Sequence, residues 1–529
     1  MSLLKEAQNL FDQGRYTDCG NLCKEYLVLN PQDVSAIRLL GNTAIALGFF
    51  SDAVSIYQKL LLLVPQDPGA HSALARQYYT LRDHTRAQTH AEQASKLAPQ
   101  LPTPWLVLGC LALENRDESE GLRLFDKSRQ AGMTPYLLDT LYADFLLKVG
   151  KFDQAGDLLR KLIKENPDSA ILYQKLAWSK NLTQEDSDME ILRSLLDSSD
   201  AFRSAFKTDV ESIVHSNRAM YKLESDLGNY EEAFSYLLNA NEPYLQHSPE
   251  ERVPYSEDPY SGIKQIFTAE FVATRAPLAC TRDDPIFIVG MPRSGTTLLE
   301  RVLSTNPDIV PAGELIHLDK VKQELCERHC GRPDNLVGLL KVSDSLWRAS
   351  GAEYIERARA GIDRGRYFVD KLPGNFINVG FIKSILPNAK VIHLSRNPMA
   401  TCFSLFEQDF GHRHPYANDL AVVGSAYVAY HRLMSHWQTI FGDEIIQVRY
   451  ESLVSSPLEV IGELSEQLGL SLDALSMGKV QEDGLIDTAS YWQARQPVNT
   501  ASIERWRKFE QYLDPLAKAL APLNLASLN

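Results

Sequence analysis

Pro285-Ile-Phe-Ile-Val-Gly-Met-Pro-Arg-Ser-Gly-Thr-Thr-Leu-Leu-Glu300 runs from an apolar segment through a glycine-bounded loop into a helical pattern. Ile286 to Val289 read as a fully buried strand, Gly290 to Thr297 as a tight loop, and Thr296 onward as the first turn of a helix. Strand, loop and helix in that order make a phosphate cradle, because successive backbone N–H groups and the positive helix end point into one concavity. Gly290 and Gly295 let the backbone turn that sharply.

The spacing Gly290-x-x-x-x-Gly295 is that of a P-loop, but Thr296 stands where a nucleoside triphosphatase carries its lysine. Around Gly295, the side-chain donors are Arg293, Ser294, Thr296 and Thr297, a set better suited to a 5′-phosphosulfate than to a magnesium-bound triphosphate. Pro292-Arg-Ser-Gly-Thr-Thr297 resembles the 5′-phosphosulfate loop of sulfotransferases that use 3′-phosphoadenosine 5′-phosphosulfate (PAPS).

The chain has 529 residues, 44% of them hydrophobic, which predicts at least two globular domains. A formal net charge of −14 argues against nucleic-acid binding, so an anionic ligand needs a local basic pocket. The first residues enter an amphipathic helical pattern with no basic and apolar leader, and no window reaches the length of a membrane span. Seven scattered cysteines fit a reducing cytoplasm. The cytoplasmic expectation departs from the tyrosylprotein sulfotransferases of the Golgi, which are membrane-anchored and luminal.

An internal period organises the N-terminal half. Pro31, Pro65 and Pro99 follow one another at 34 residues, and Pro167 comes two such steps later. Ala53, Ala87 and Ala155 keep the same frame, as do Gly14, Gly48 and Gly150, while Trp105-x-x-Leu108-Gly109 opens a repeat in the tetratricopeptide pattern. Small residues belong where the two helices of a repeat cross, and the proline ends the second helix. Five repeats are expected between about residues 2 and 168, a decaying sixth from Leu172, and a last unit near 214–247. Such a solenoid offers a concave face to a peptide or protein, or packs on a neighbouring domain.

His247 to Pro259 carries three prolines and reads as a linker, with a helix expected from Ser261 to Val272. The expected layout is therefore an α-solenoid over residues 1–247, a linker and connecting helix over 248–274, and over 275–529 a P-loop-like α/β sulfotransferase domain with a central parallel sheet. On this boundary a chain starting near residue 262 should still bind nucleotide.

Several later motifs extend the resemblance. Glu314, in Ala312-Gly-Glu314 after the loop helix, matches the glutamate that in tyrosylprotein sulfotransferases takes the acceptor hydroxyl proton. Lys371 follows the strand Tyr367-Phe-Val-Asp370 at the ligand-binding edge of a parallel sheet, where it can stabilise charge on the transferring sulfuryl oxygen and the leaving phosphate. A family lysine at this strand end resembles it. Arg396, after a third buried strand, and Ser404, on the following helix, match the pair that clamps the 3′-phosphate of PAPS; arginine suits phosphate because its fork donates two bonds. Gln408 stands where some family members place a further arginine. Tyr450 matches a cofactor-contacting tyrosine, and Ser490 and Arg505 match a serine and a basic residue near the phosphosulfate, Ser490 being counted with the catalytic set.

Two clusters invite a metal reading, Cys326-x-x-His329-Cys330 and His412-x-His414, but neither has zinc-finger spacing, and no metal is expected. The resemblance thus implies transfer of the sulfuryl group from PAPS to an acceptor hydroxyl, a protein tyrosine among the candidates. A P-loop kinase is opposed by Thr296 and the Arg396 and Ser404 pair. A repeat scaffold with a nucleotide-binding but catalytically weak transferase domain is opposed by the presence of both Glu314 and Lys371.

Overall fold

The computed structural model describes residues 3–197, 210–247, 254–255, 257–360, 362, 364–411, 414–472 and 501–523. The chain divides into two compact units, Met1–Phe145 and Leu146–Asn529.

The first unit is built of helical hairpins in the 34-residue frame: Leu3–Asp12 with Tyr16–Leu29, Val34–Ala46 with Phe50–Leu63, Pro68–Thr80 with His84–Leu97, and Pro102–Glu114 with Glu118–Gln130. Aspartates at the same spacing start four of these helices. Asp33 and Asp67 cap first helices by accepting backbone N–H groups, and Asp83 and Asp117 do so for second helices. The small residues sit where expected. A Cβ on Gly109 would lie 2.5 Å from the Phe125 ring, and Ala53 and Ala87 are fully buried. The turn frame that begins with Gly14 and Gly48 continues through Arg82 and Arg116 to Gly150, and all five have left-handed φ values, from +60° to +82°. Composition hides the two missing steps because arginine fills them.

The second unit contains the helices Phe152–Glu165, Ala170–Trp178 and Met189–Asp197, a hairpin of Val210–Leu227 and Tyr230–His247, and an α/β core. Residue 247, the expected end of the solenoid, lies inside this unit. The hairpin's apolar face is sealed by the core: Phe234 stacks on Tyr512 with ring centroids 4.9 Å apart, and Tyr221 and Tyr230 pack on Phe509. The helix expected over 261–272 forms as two, Ser261–Ile266 and Ala269–Arg275, because Thr268 accepts the N–H of Phe271 and caps a new start.

Five parallel strands make the sheet: β1 (Pro285–Val289), β2 (Ile309–Pro311), β3 (Tyr367–Asp370), β4 (Lys390–Ser395) and β5 (Ile445–Arg449), in the order β2-β3-β1-β4-β5. Alternate side chains of β1 enter two cores, as the two-residue strand period requires. Ile286 and Ile288 join Leu299, Val302, Ile461 and Leu464 on one face. Phe287 and Val289 join Trp347, Phe381, Trp437 and Phe509 on the other, with Tyr221, Phe234 and Leu237 of the hairpin. The central strand therefore presents its loop at the carboxyl edge, between β3 on one side and β4 on the other, which is where ligands of open α/β sheets bind.

Candidate active site

The loop after β1 is fixed by close backbone contacts. A Cβ on Gly290 would meet the Leu394 carbonyl oxygen at 2.4 Å, so only glycine lets the loop lie against the end of β4. Gly290 N–H donates to the Pro373 carbonyl at 3.1 Å, tying the loop to the segment after β3. Gly295 has φ +101°, and a Cβ there would strike the Tyr450 ring at 2.4 Å. A Gly295→Ala substitution is therefore expected to abolish detectable nucleotide binding in a calorimetric titration, through left-handed strain and displacement of Tyr450 together.

The donors expected from sequence line this loop. Ser294 and Thr296 are buried, and the Ser294 hydroxyl has no hydrogen-bond partner among the described residues. Such an orphan inside a glycine-rich loop at a helix N-terminus fits a bound anion. Thr297 is half-buried beside it, in the first turn of the helix Thr296–Leu303.

Arg293, Arg396, Ser404 and Tyr450 come together. Arg293 Nε donates to Ser404 Oγ at 3.0 Å, and Arg396 Nη1 donates to the Arg293 carbonyl at 2.9 Å. The Arg396 guanidinium lies over the Tyr450 ring at 4.7 Å. Arg505 reaches the same neighbourhood through Glu407, with Nη2 2.8 Å from Oε1. Burial first, then repulsion from Arg396 and Arg505, pushes the Arg293 guanidinium down to about 10 against the attraction of Glu407. Burial also lowers Arg396, with Arg505 adding to it. Guanidiniums crowded enough to repel one another mark a place where an incoming anion is stabilised.

Glu314 and Lys371 form a second cluster on the β3 side. The segment after β2 is zipped to the end of β3 by Ala312 N–H donating to the Val369 carbonyl at 2.9 Å and Lys371 N–H to Gly313 at 2.8 Å. The short strand β2 and the residues after it thus return the chain to the loop's edge of the sheet. Lys371 Nζ donates to Glu314 Oε1 at 2.7 Å, with the lysine side chain 4% exposed and the glutamate 48%. The cation is set into the protein and the carboxylate faces out.

Three carboxyl groups beside these clusters were not singled out from sequence. Glu300, on the loop helix, is pushed up by burial, with Lys371 opposing and Glu314 adding, and it accepts the N–H of Gly313. Burial raises Asp370, next to Lys371, to about 7, while the Tyr354 hydroxyl donates to it at 2.8 Å. Glu407 lies three residues beyond Ser404 and so on the same helix face. That spacing was the one available signal. Ser490 lies outside the described residues, as does His412; among the described residues no group of three or more possible metal ligands occurs.

The Sulfotransferase family model matches residues 285–474, from the first residue of β1 past the last strand, and a Tetratricopeptide repeat model matches residues 38–102. The chain carries tetratricopeptide repeats and a sulfotransferase family domain. It is distantly related to protein-tyrosine sulfotransferases: Protein-tyrosine sulfotransferase 1 of Danio rerio is 21% identical over 276 residues, 44% of this chain and 68% of that protein. An uncharacterized protein of Aquifex aeolicus is 28% identical over 386 residues, 71% of this chain, so the chain spans about half (49%) of that relative's length. The sulfotransferase domain from the Synechococcus PCC 7002 olefin synthase is 24% identical, covering 43% of this chain and 88% of that one with a TM-score of 0.30. Within the sulfotransferase domain as matched lie both clusters, but Arg505 lies beyond it and the hairpin precedes it. No helix among the described residues is long and apolar enough to cross a membrane.

Proposed function

We propose that this protein transfers the sulfuryl group from PAPS to an acceptor hydroxyl, and the observation that carries the reading is the Lys371–Glu314 pair beside a loop with crowded guanidiniums and an orphan hydroxyl. PAPS supplies an activated sulfuryl group whose bond to the 5′-phosphate breaks as the bond from sulfur to the acceptor oxygen forms, leaving 3′,5′-adenosine bisphosphate. Arg293, Ser294, Thr296, Thr297 and the helix N-terminus hold the 5′ end. Arg396 and Ser404 hold the 3′-phosphate, with Tyr450 fixing the Arg396 guanidinium. Glu314, on the outward side of the pair, accepts the acceptor's proton. Lys371, recessed behind it, donates to the oxygens on which charge builds in the transition state. The distant relationship to protein-tyrosine sulfotransferases and the repeats support a protein or peptide hydroxyl as acceptor, with tyrosine the first to test.

Two measurements test this. Labelled PAPS incubated with the protein and a cell extract should give a labelled product whose chemistry names the acceptor. In calorimetric titration, 3′,5′-adenosine bisphosphate should bind about 10- to 100-fold more tightly than 5′-AMP, the worth of charge-assisted hydrogen bonds to one phosphate. Arg396→Ala should erase most of that ratio. Equal affinities for the two nucleotides in the wild type would overturn the PAPS assignment.

A further inference from the structure

We propose that Glu407 is a positioning residue for the nucleotide site, clamped by Tyr221 and Arg218 of the preceding helical hairpin so that Arg505, matched from sequence to the phosphosulfate end, stands instead ready for the 3′-phosphate in place of the cation missing at Gln408. The inference rests on the sulfuryl-transfer reading and adds to it a specificity-determining contact made from outside the matched family region.

The helix Pro398–Phe406 carries Ser404 and ends at Glu407. A helix leaves its last carbonyls without intrahelical partners, and here the hairpin supplies them. Arg218 Nη1 donates to the Glu407 carbonyl, and Asn241 Nδ2 to the Phe406 carbonyl at 3.3 Å. Arg218 Nη2 also donates to Asn241 Oδ1 at 2.8 Å, so the two caps brace each other. A buried cation at this end complements the helix dipole as well. Tyr244 continues the clamp one turn on by donating to Asp409 at 2.8 Å.

The side chain of Glu407 is held as firmly as its backbone. It is 4% exposed, and its Oε1 accepts from the Tyr221 hydroxyl and from Arg505 Nη2 at 2.8 Å. Arg505 Nη2 is also 3.3 Å from the Tyr221 hydroxyl oxygen. Burial alone would depress the Arg505 guanidinium, and Glu407, Tyr221 and Asp226 more than offset it. Among the described residues Arg505 is held through Nη2, and a guanidinium with five N–H donors has others to offer an anion. Ser404 sits one turn before Glu407 and accepts from Arg293, so the carboxylate fixes Arg505 beside the Arg293 and Ser404 pair. Gln408 itself is buried and uncharged. The order of events in the chain is therefore hairpin, Glu407, Arg505, phosphate.

The test measures the affinity ratio between 3′,5′-adenosine bisphosphate and 5′-AMP, which a merely structural role would not move. Glu407→Gln and Tyr221→Phe are each expected to lower bisphosphate affinity about tenfold while changing AMP affinity less than about twofold. The double variant should lose no more than the larger single, because the two act on one contact. Arg505→Gln, at a partly exposed side chain, should reproduce the loss and stands in if a buried variant fails to fold. An unchanged ratio in folded Glu407→Gln or in Arg505→Gln overturns the positioning role while leaving sulfuryl transfer intact. A wild-type protein with no preference for the bisphosphate overturns the sulfuryl-transfer reading and this inference with it.

Discussion

Glu314→Gln is expected to lower turnover about 10²- to 10⁴-fold, the range for losing a general base, while affinity for 3′,5′-adenosine bisphosphate stays within about twofold. Glutamine keeps the size of the side chain and leaves an oxygen for Lys371 Nζ, now 2.7 Å from the carboxylate. What it removes is the ability to take a proton at a side chain that is 48% exposed and so open to an acceptor. Lys371→Ala should cost about 10²- to 10³-fold, as for one oxyanion donor. Because the two side chains are bonded directly, the double variant should fall well short of the product of the singles. Near-wild-type turnover in Glu314→Gln, measured where chemistry limits the rate, would mean that another group takes the proton.

A chain beginning at residue 262 is expected neither to fold nor to bind nucleotide, whereas one beginning at residue 152 should do both. The shorter chain lacks Tyr221, Phe234 and Leu237, which are members of the same core cluster as Phe287, Phe406 and Phe509. Losing a large buried aromatic costs about 3–5 kcal/mol, and a domain's whole stability is about 5–15 kcal/mol, so two or three such losses exhaust it. It also strips the Arg218 and Asn241 caps from the Ser404 helix. Circular dichroism melting and titration with the bisphosphate check both chains. A cooperative melt and tight binding from the residue-262 chain would place the working boundary where sequence alone had set it, near 247.

The two expectations for the hairpin at 210–247 differ for a physical reason. Periodicity reads one helix at a time, and Leu227-Gly-Asn-Tyr230 carries the repeat's turn whether its neighbour is another repeat or an α/β core. The burial that separates those cases is a matter of which distant aromatic faces Phe234, and no local pattern encodes it. Where structure is local, the sequence was a sufficient guide. The run Ile286 to Val289 became β1, and the loop and helix followed it as spaced. The pairing of Arg396 with the Tyr450 ring and of Lys371 with Glu314 joined residues already singled out one by one. Glu300, Asp370 and Glu407 escaped notice because an isolated carboxylate in a helix or at a strand end looks solvent-facing until a fold buries it. Arg82 and Arg116 escaped for the opposite reason: a left-handed turn position is sought by looking for glycine, and here arginine occupies it.

A helical hairpin that shares its core with an α/β sheet also constrains descent. Upstream hairpins in a repeat array can be duplicated or lost with little harm, since each contacts only its neighbours. The hairpin of Val210–Leu227 and Tyr230–His247 has no such freedom, because Tyr221 and Arg218 answer to Glu407 rather than to a repeat consensus. Among homologues, its residues should therefore drift with those of the sulfotransferase domain and keep their length, while the earlier repeats vary in number. Shuffling that joined this domain to a different array would have to carry the hairpin along.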